Sequence, residues 1–198
     1  MKNQVMKEKT LTIIALLFSL FGCKNNDAEH TNSILKEKFQ GQYEIVSATS
    51  DVAVDLNMDG KTSRNLLEEN VEIVNAGISL MINENSNLFT EHWPIEYIGV
   101  EPGVAFDSTK YYPSYTLDYA RYAITSLFQF DDSQKVIDLI NPEPVISNGV
   151  ADARFVFPDQ IDVEDDLIIV TSTRNLYTFK GYVKTQITAK YKRYTTIL

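Results

Sequence analysis

Residues 167–191, LIIVTSTRNLYTFKGYVKTQITAKY, decide the fold class of this chain. Leu167 to Tyr177 is a run rich in β-branched and aromatic residues that leads into a Lys180-Gly181 turn. Beyond it Val183, Thr185, Ile187, Ala189 and Tyr191 alternate with Lys184, Gln186, Thr188, Lys190 and Lys192, so one face is mostly apolar and the other polar throughout. Period-two alternation after a tight turn predicts an antiparallel hairpin with one buried face.

The same pattern extends back along the chain. From Gln42 a first strand alternates Tyr43, Ile45 and Ser47 with Glu44, Val46 and Ala48, weakly enough that its faces stay open. Gly77 to Ile82 and Leu88 to Trp93 flank a polar Asn83–Asn87 turn and predict a hairpin stopped by Pro94. Tyr115 to Phe130 turns at Asp131-Asp132-Ser133-Gln134 and returns as Val136 to Ile140; Ala153 to Phe157 and Ile161 to Val163 read as short strands. Strands joined by short turns, with no long helical pattern between them, predict an all-β antiparallel meander closing into a barrel or packing as a sandwich. Ser33 to Phe39, with Ile34, Leu35 and Phe39 on one side, predicts a short helix before Gly41.

Phe39-Gln40-Gly41-Gln42-Tyr43-Glu44-Ile45, a short helix followed by Gly-x-Tyr, resembles the Gly-x-Trp opening of lipocalin-like barrels, with Tyr43 in place of the usual Trp. Lys192 or Arg193 resembles the basic residue of the final strand that packs over that aromatic. The resemblance implies a lipocalin-like β-barrel over 33–198, with Tyr43 and Arg193 paired at its closed end. It also implies an interior able to hold a small apolar ligand. A cation over an aromatic face contributes about 0.5–2 kcal/mol.

The first residues read as an address. Lys2, Lys7 and Lys9 precede the apolar run Leu11 to Phe21, which makes 1–22 a cleavable secretory leader. Leu20-Phe21-Gly22-Cys23 resembles the lipobox of bacterial lipoproteins, which implies lipidation of Cys23 and attachment to the cell envelope, with the outer membrane expected. Cys23 is the sole cysteine, so no intramolecular disulfide staples the exported domain. Residues 23–32 are polar and read as a lipidated tether.

Asp55-Leu56-Asn57-Met58-Asp59-Gly60-Lys61-Thr62-Ser63 places oxygen side chains at alternate positions before a glycine. It resembles the first nine positions of an EF-hand or dockerin-type calcium loop, implying a structural calcium site of Asp55, Asn57, Asp59, the Lys61 carbonyl and Ser63. Leu66 stands where the bidentate acid belongs, and Glu68 and Glu69 follow late. An Asx-rich turn satisfied by its own backbone is the other reading.

Net charge is −9, which makes nucleic acid an unexpected partner. No acid follows Asp166, while Arg174, Lys180, Lys184, Lys190, Lys192 and Arg193 do, giving either a basic strip for an anionic ligand or basic strands beside acidic ones. The serine-elbow, zinc-protease and phosphate-loop signatures are missing, and His92 is the one histidine outside the tether. Tyr111, Tyr112, Tyr115, Tyr119 and Tyr122 cluster as core or as a stacking platform. The expectation is a non-enzymatic, membrane-anchored envelope lipoprotein that binds a small hydrophobic or glycan ligand. The alternative is a structural or accessory envelope protein whose barrel is filled by its own side chains, with a protein partner in the envelope.

Overall fold

A computed structural model describes residues 24–84, 86–99, 103, 105, 107, 110, 117–147, 150–152 and 154–198, with backbone alone for 24–31, 147, 150 and 151. The leader, Cys23, Tyr111, Tyr112 and Tyr115 lie outside them.

Helix α1 (Lys24–Phe39) leads into β1 (Gly41–Val54). There follow β2 (Ser63–Asn65), a short helix α2 (Leu66–Glu69), a 3-10 turn (Val71–Asn75), β3 (Gly77–Met81), β4 (Asn87–Ile98), β5 (Leu117–Phe130) and β6 (Ile137–Ile140). A small hairpin of β7 (Ile146–Ser147) and β8 (Val150–Ala151) precedes β9 (Gln160–Glu164), β10 (Leu167–Thr178) and β11 (Gly181–Thr195). Strands lie in the order β6-β5-β4-β3-β1-β11-β10-β9, every neighbouring pair antiparallel, with β2 added beside β1. Val136 bridges Asp162, and the Lys135 carbonyl accepts the Val163 N–H at 2.7 Å. These contacts join the two ends of the sheet. The fold is an all-β meander wound into a nearly closed eight-stranded barrel with a helix near its N-terminus, as the alternation predicts.

Three details differ from the sequence reading. Helix α1 starts at Lys24, ahead of Ser33, so the stretch read as a tether is helical backbone here. Pro94 does not stop β4, which runs on to Ile98. The ladder between β3 and β4 ends at Gly77 and His92, so Pro94 lies where that side of the strand is free and a missing N–H costs no ladder bond. Arg154 to Phe157 is a turn and irregular chain instead of a strand.

The barrel has two storeys. Near α1 all eight strands contribute, and Phe39, Tyr43, Leu80, Phe89, Phe128 and Ile168 form an apolar floor. Toward the other end β3, β6 and β9 have run out. There the wall consists of the long hairpins β4–β5 and β10–β11, β1, and the α2–3-10 segment, which packs against β1 and β4. Leu66 and Ile73 of that segment are almost completely buried.

Candidate functional site

The upper storey carries a buried polar cluster. On β4, Phe89, Glu91, Trp93 and Ile95 follow one another at alternate positions, all buried; on β10, Ile168, Val170, Ser172, Arg174 and Leu176 do the same. Each strand thus places one charge on an otherwise inward face. Across the barrel, Arg174 Nη2 donates to Glu91 Oε2 at 2.7 Å, with side chains 5% and 0% exposed. Arg174 Nε donates to Ser172 Oγ at 2.9 Å, and the Tyr191 hydroxyl donates to Glu91 Oε1 at 3.5 Å. The guanidinium stacks 4.6 Å from the Trp93 ring. Burial drives the Tyr191 hydroxyl well above its ordinary range, reinforced by the Glu91 charge, so it stays a neutral donor.

Further up, Glu96 is a second buried acid, and its Oε1 accepts the Tyr177 N–H at 3.4 Å. Burial pushes its carboxyl up to about 7, against the weaker pull of the Tyr177 and Glu96 backbone N–H groups and the Arg174 charge. Tyr119, its register partner on β5, is raised by the same burial and by Glu96. Tyr182 is pushed up to about 12. Nearby, Arg154 closes on Asp152 through Nε and Nη2, and stacks over Tyr97. Thr185 of β11, opposite Arg174 in register, is buried, and its Oγ1 has no hydrogen-bond partner among the described residues.

The expected barrel-end residues meet at the other end. Tyr43 and Arg193 are register partners on β1 and β11. The Tyr43 hydroxyl donates to the Phe39 carbonyl at 2.6 Å. Arg193 Nη1 donates to the carbonyls of Glu37, Lys38 and Gln40 at 3.0, 2.8 and 3.3 Å. The cation therefore serves the orphan carbonyls at the C-terminus of α1, where the helix dipole is negative. Both residues also line a cleft of about 430 Å³ between α1 and the β9–β10 turn. Lys192 instead pairs with Asp166 at the surface.

In the acidic loop, Asp55 is buried; its Oδ1 accepts the Asp59 N–H at 3.1 Å and its Oδ2 the Gly60 N–H at 2.9 Å. Asn57 Oδ1 accepts from Asp59 N, Asp59 Oδ1 from Lys61 N, and Ser63 Oγ from Asn65 N. Helix α2 brings Glu69 back to the loop, where Oε2 accepts the Leu56 N–H at 3.0 Å. These oxygens are engaged by loop N–H groups. Among the described residues no three carboxylate, imidazole or thiol groups come together as a metal set.

Sequence reading counted Arg174 in a basic strip and gave Glu91 no role. The signal for both was present, because each falls in phase with the apolar residues of its strand. His92 is half-buried, its pKa lowered by burial and then by Arg121. No helix among the described residues is long and apolar enough to cross a membrane. No family model, curated protein or solved structure matches the chain.

Proposed function

We propose that this chain is a lipocalin-like envelope lipoprotein, held at the membrane through Cys23, whose barrel binds a small ligand at the polar upper storey without catalysing a reaction. The observation that carries the reading is the Glu91–Arg174 pair inside the barrel, with Trp93 over the guanidinium and the Thr185 hydroxyl, in register with Arg174, without a partner among the described residues. Burying two charges costs several kcal/mol per ion before attraction, and an apolar pair of the same volume is often as stable. Stability alone therefore does not account for such a pair. An eight-stranded barrel is wide enough either to be filled or to hold one small ligand. The anchor rests on Leu20-Phe21-Gly22-Cys23 and on Cys23 being the only thiol.

Native mass spectrometry of the full chain purified from the membranes of its own host tests both parts. The expected spectrum shows a lipid mass that disappears in Cys23→Ala, and a non-covalent adduct lost on denaturation. A bare chain with no adduct overturns ligand binding. That outcome would favour the second reading, a structural envelope subunit with a filled barrel, which the apolar floor and the bonds within the ion pair support.

A further inference from the structure

The charges of the upper storey say what kind of ligand it accepts, given the binding reading above. Arg174 spends its charge on Glu91 at 2.7 Å and its Nε on Ser172. Arg154 is closed on Asp152 by a two-pronged contact of 2.9 and 2.6 Å. Glu96 adds an acid and no cation. A carboxylate or phosphate entering here would meet the buried acids Glu91 and Glu96 and one buried guanidinium already paired, with the Arg154–Asp152 pair at the more exposed rim, in surroundings where unpaired charge is costly.

Thr185 presents the opposite situation. It is 1% exposed, its Oγ1 has no hydrogen-bond partner among the described residues, and it stands directly across the β10–β11 ladder from Arg174. A buried hydroxyl left without a hydrogen bond is destabilising, and a neutral oxygen placed beside it relieves this without importing charge. The ring of Trp93 lies against the same arginine, 4.6 Å from its guanidinium.

We propose that the barrel takes an uncharged small molecule, whose hydroxyl or carbonyl oxygen pairs with Thr185 beside Arg174 and whose apolar part lies by Trp93. Selection is by charge: neutral compounds enter and anions of the same skeleton do not. Because Trp93 is the only tryptophan, its emission reports on the site.

The full chain is titrated with cyclohexanol, cyclohexanecarboxylate and cyclohexylamine while Trp93 emission is followed. Cyclohexanol is expected to give a saturable change, with the carboxylate and the amine each at least about tenfold weaker, since either charge would be buried unpaired. Thr185→Val, which keeps the side-chain shape, is expected to weaken cyclohexanol about fivefold, and Thr185→Ser to preserve it. Circular dichroism and Tm verify that both variants fold. Carboxylate or amine binding as tight as alcohol, or alcohol binding indifferent to Thr185→Val, overturns the charge selection and leaves barrel binding standing. Silence from all three probes overturns the binding reading with it.

Discussion

At Gly41 the chain turns from helix into barrel with φ +147°, and a Cβ built there would sit 2.2 Å from the Thr195 carbonyl oxygen. That contact is backbone on backbone, so a neighbouring side chain cannot yield to relieve it. Gly41→Ala is therefore expected to destabilise the fold by about 3 kcal/mol or more, read as a fall in the midpoint of urea unfolding. Glu96 offers a pH test. Its carboxyl titrates at 4.5 in the unfolded chain and at about 7 in the folded one, so between those values the folded chain holds a proton that the unfolded chain has released. Stability must fall as pH rises through that window and level off above it, a loss of about 3 kcal/mol. Glu96→Gln carries no such proton, so the difference between wild type and variant should grow from pH 4.5 to 7. A constant difference would show that the Glu96 pKa is not raised on folding. Residues of this kind were only partly legible. Gly41 and Tyr43 stood out as a motif, whereas burial of Glu96 depends in part on Tyr177 of β10, which only the closed barrel brings near it.

Among the elements, β1 shows why its faces were unreadable. Tyr43 and Ile45 are buried, then Ala48 and Ser50, and the ladder to β11 slips between Ile45 and Ser47. The bulge moves the inward face from odd to even positions, so an unbroken period-two reading gives a blurred average. The β10–β11 hairpin pairs without a slip from Leu167–Lys192 to Thr178–Gly181, and its alternation was clear. The acidic loop tests a different point. Its oxygens accept from the loop's own N–H groups, and the α2 carboxylate of Glu69 ties the loop to the chain behind it. Asp55→Ala, which removes the buried carboxylate that accepts from the Asp59 and Gly60 N–H groups, is expected to cost about 1–2 kcal/mol, equally in chelator and in millimolar calcium. A cost appearing only with calcium, or a Tm that rises with calcium in the wild type alone, would assign the loop to a cation.

For the whole molecule, the question is why an apolar floor supports a charged storey. Hydrophobic burial near α1 is sufficient to define a core, and the β3–β4, β5–β6, β9–β10 and β10–β11 hairpins follow from alternation and short turns. What alternation does not reveal is which inward charges face each other. Glu91 and Arg174 are 83 residues apart and meet only because β4 and β10 stand on opposite walls. Their pairing separates two roles. Glu91→Gln leaves the guanidinium buried without its counter-charge and is expected to cost about 3–5 kcal/mol. The double change Glu91→Leu with Arg174→Met removes both charges at similar volume and is expected to be neutral or stabilising in urea unfolding. If the pair serves ligand binding, the double variant keeps its Tm and near-ultraviolet circular dichroism but loses the Trp93 response to cyclohexanol. If the pair instead holds the barrel walls in place, the double variant unfolds as readily as the single one. A folded double variant that still binds cyclohexanol at the wild-type level would remove Arg174 from the site and leave Thr185 as its only polar contact.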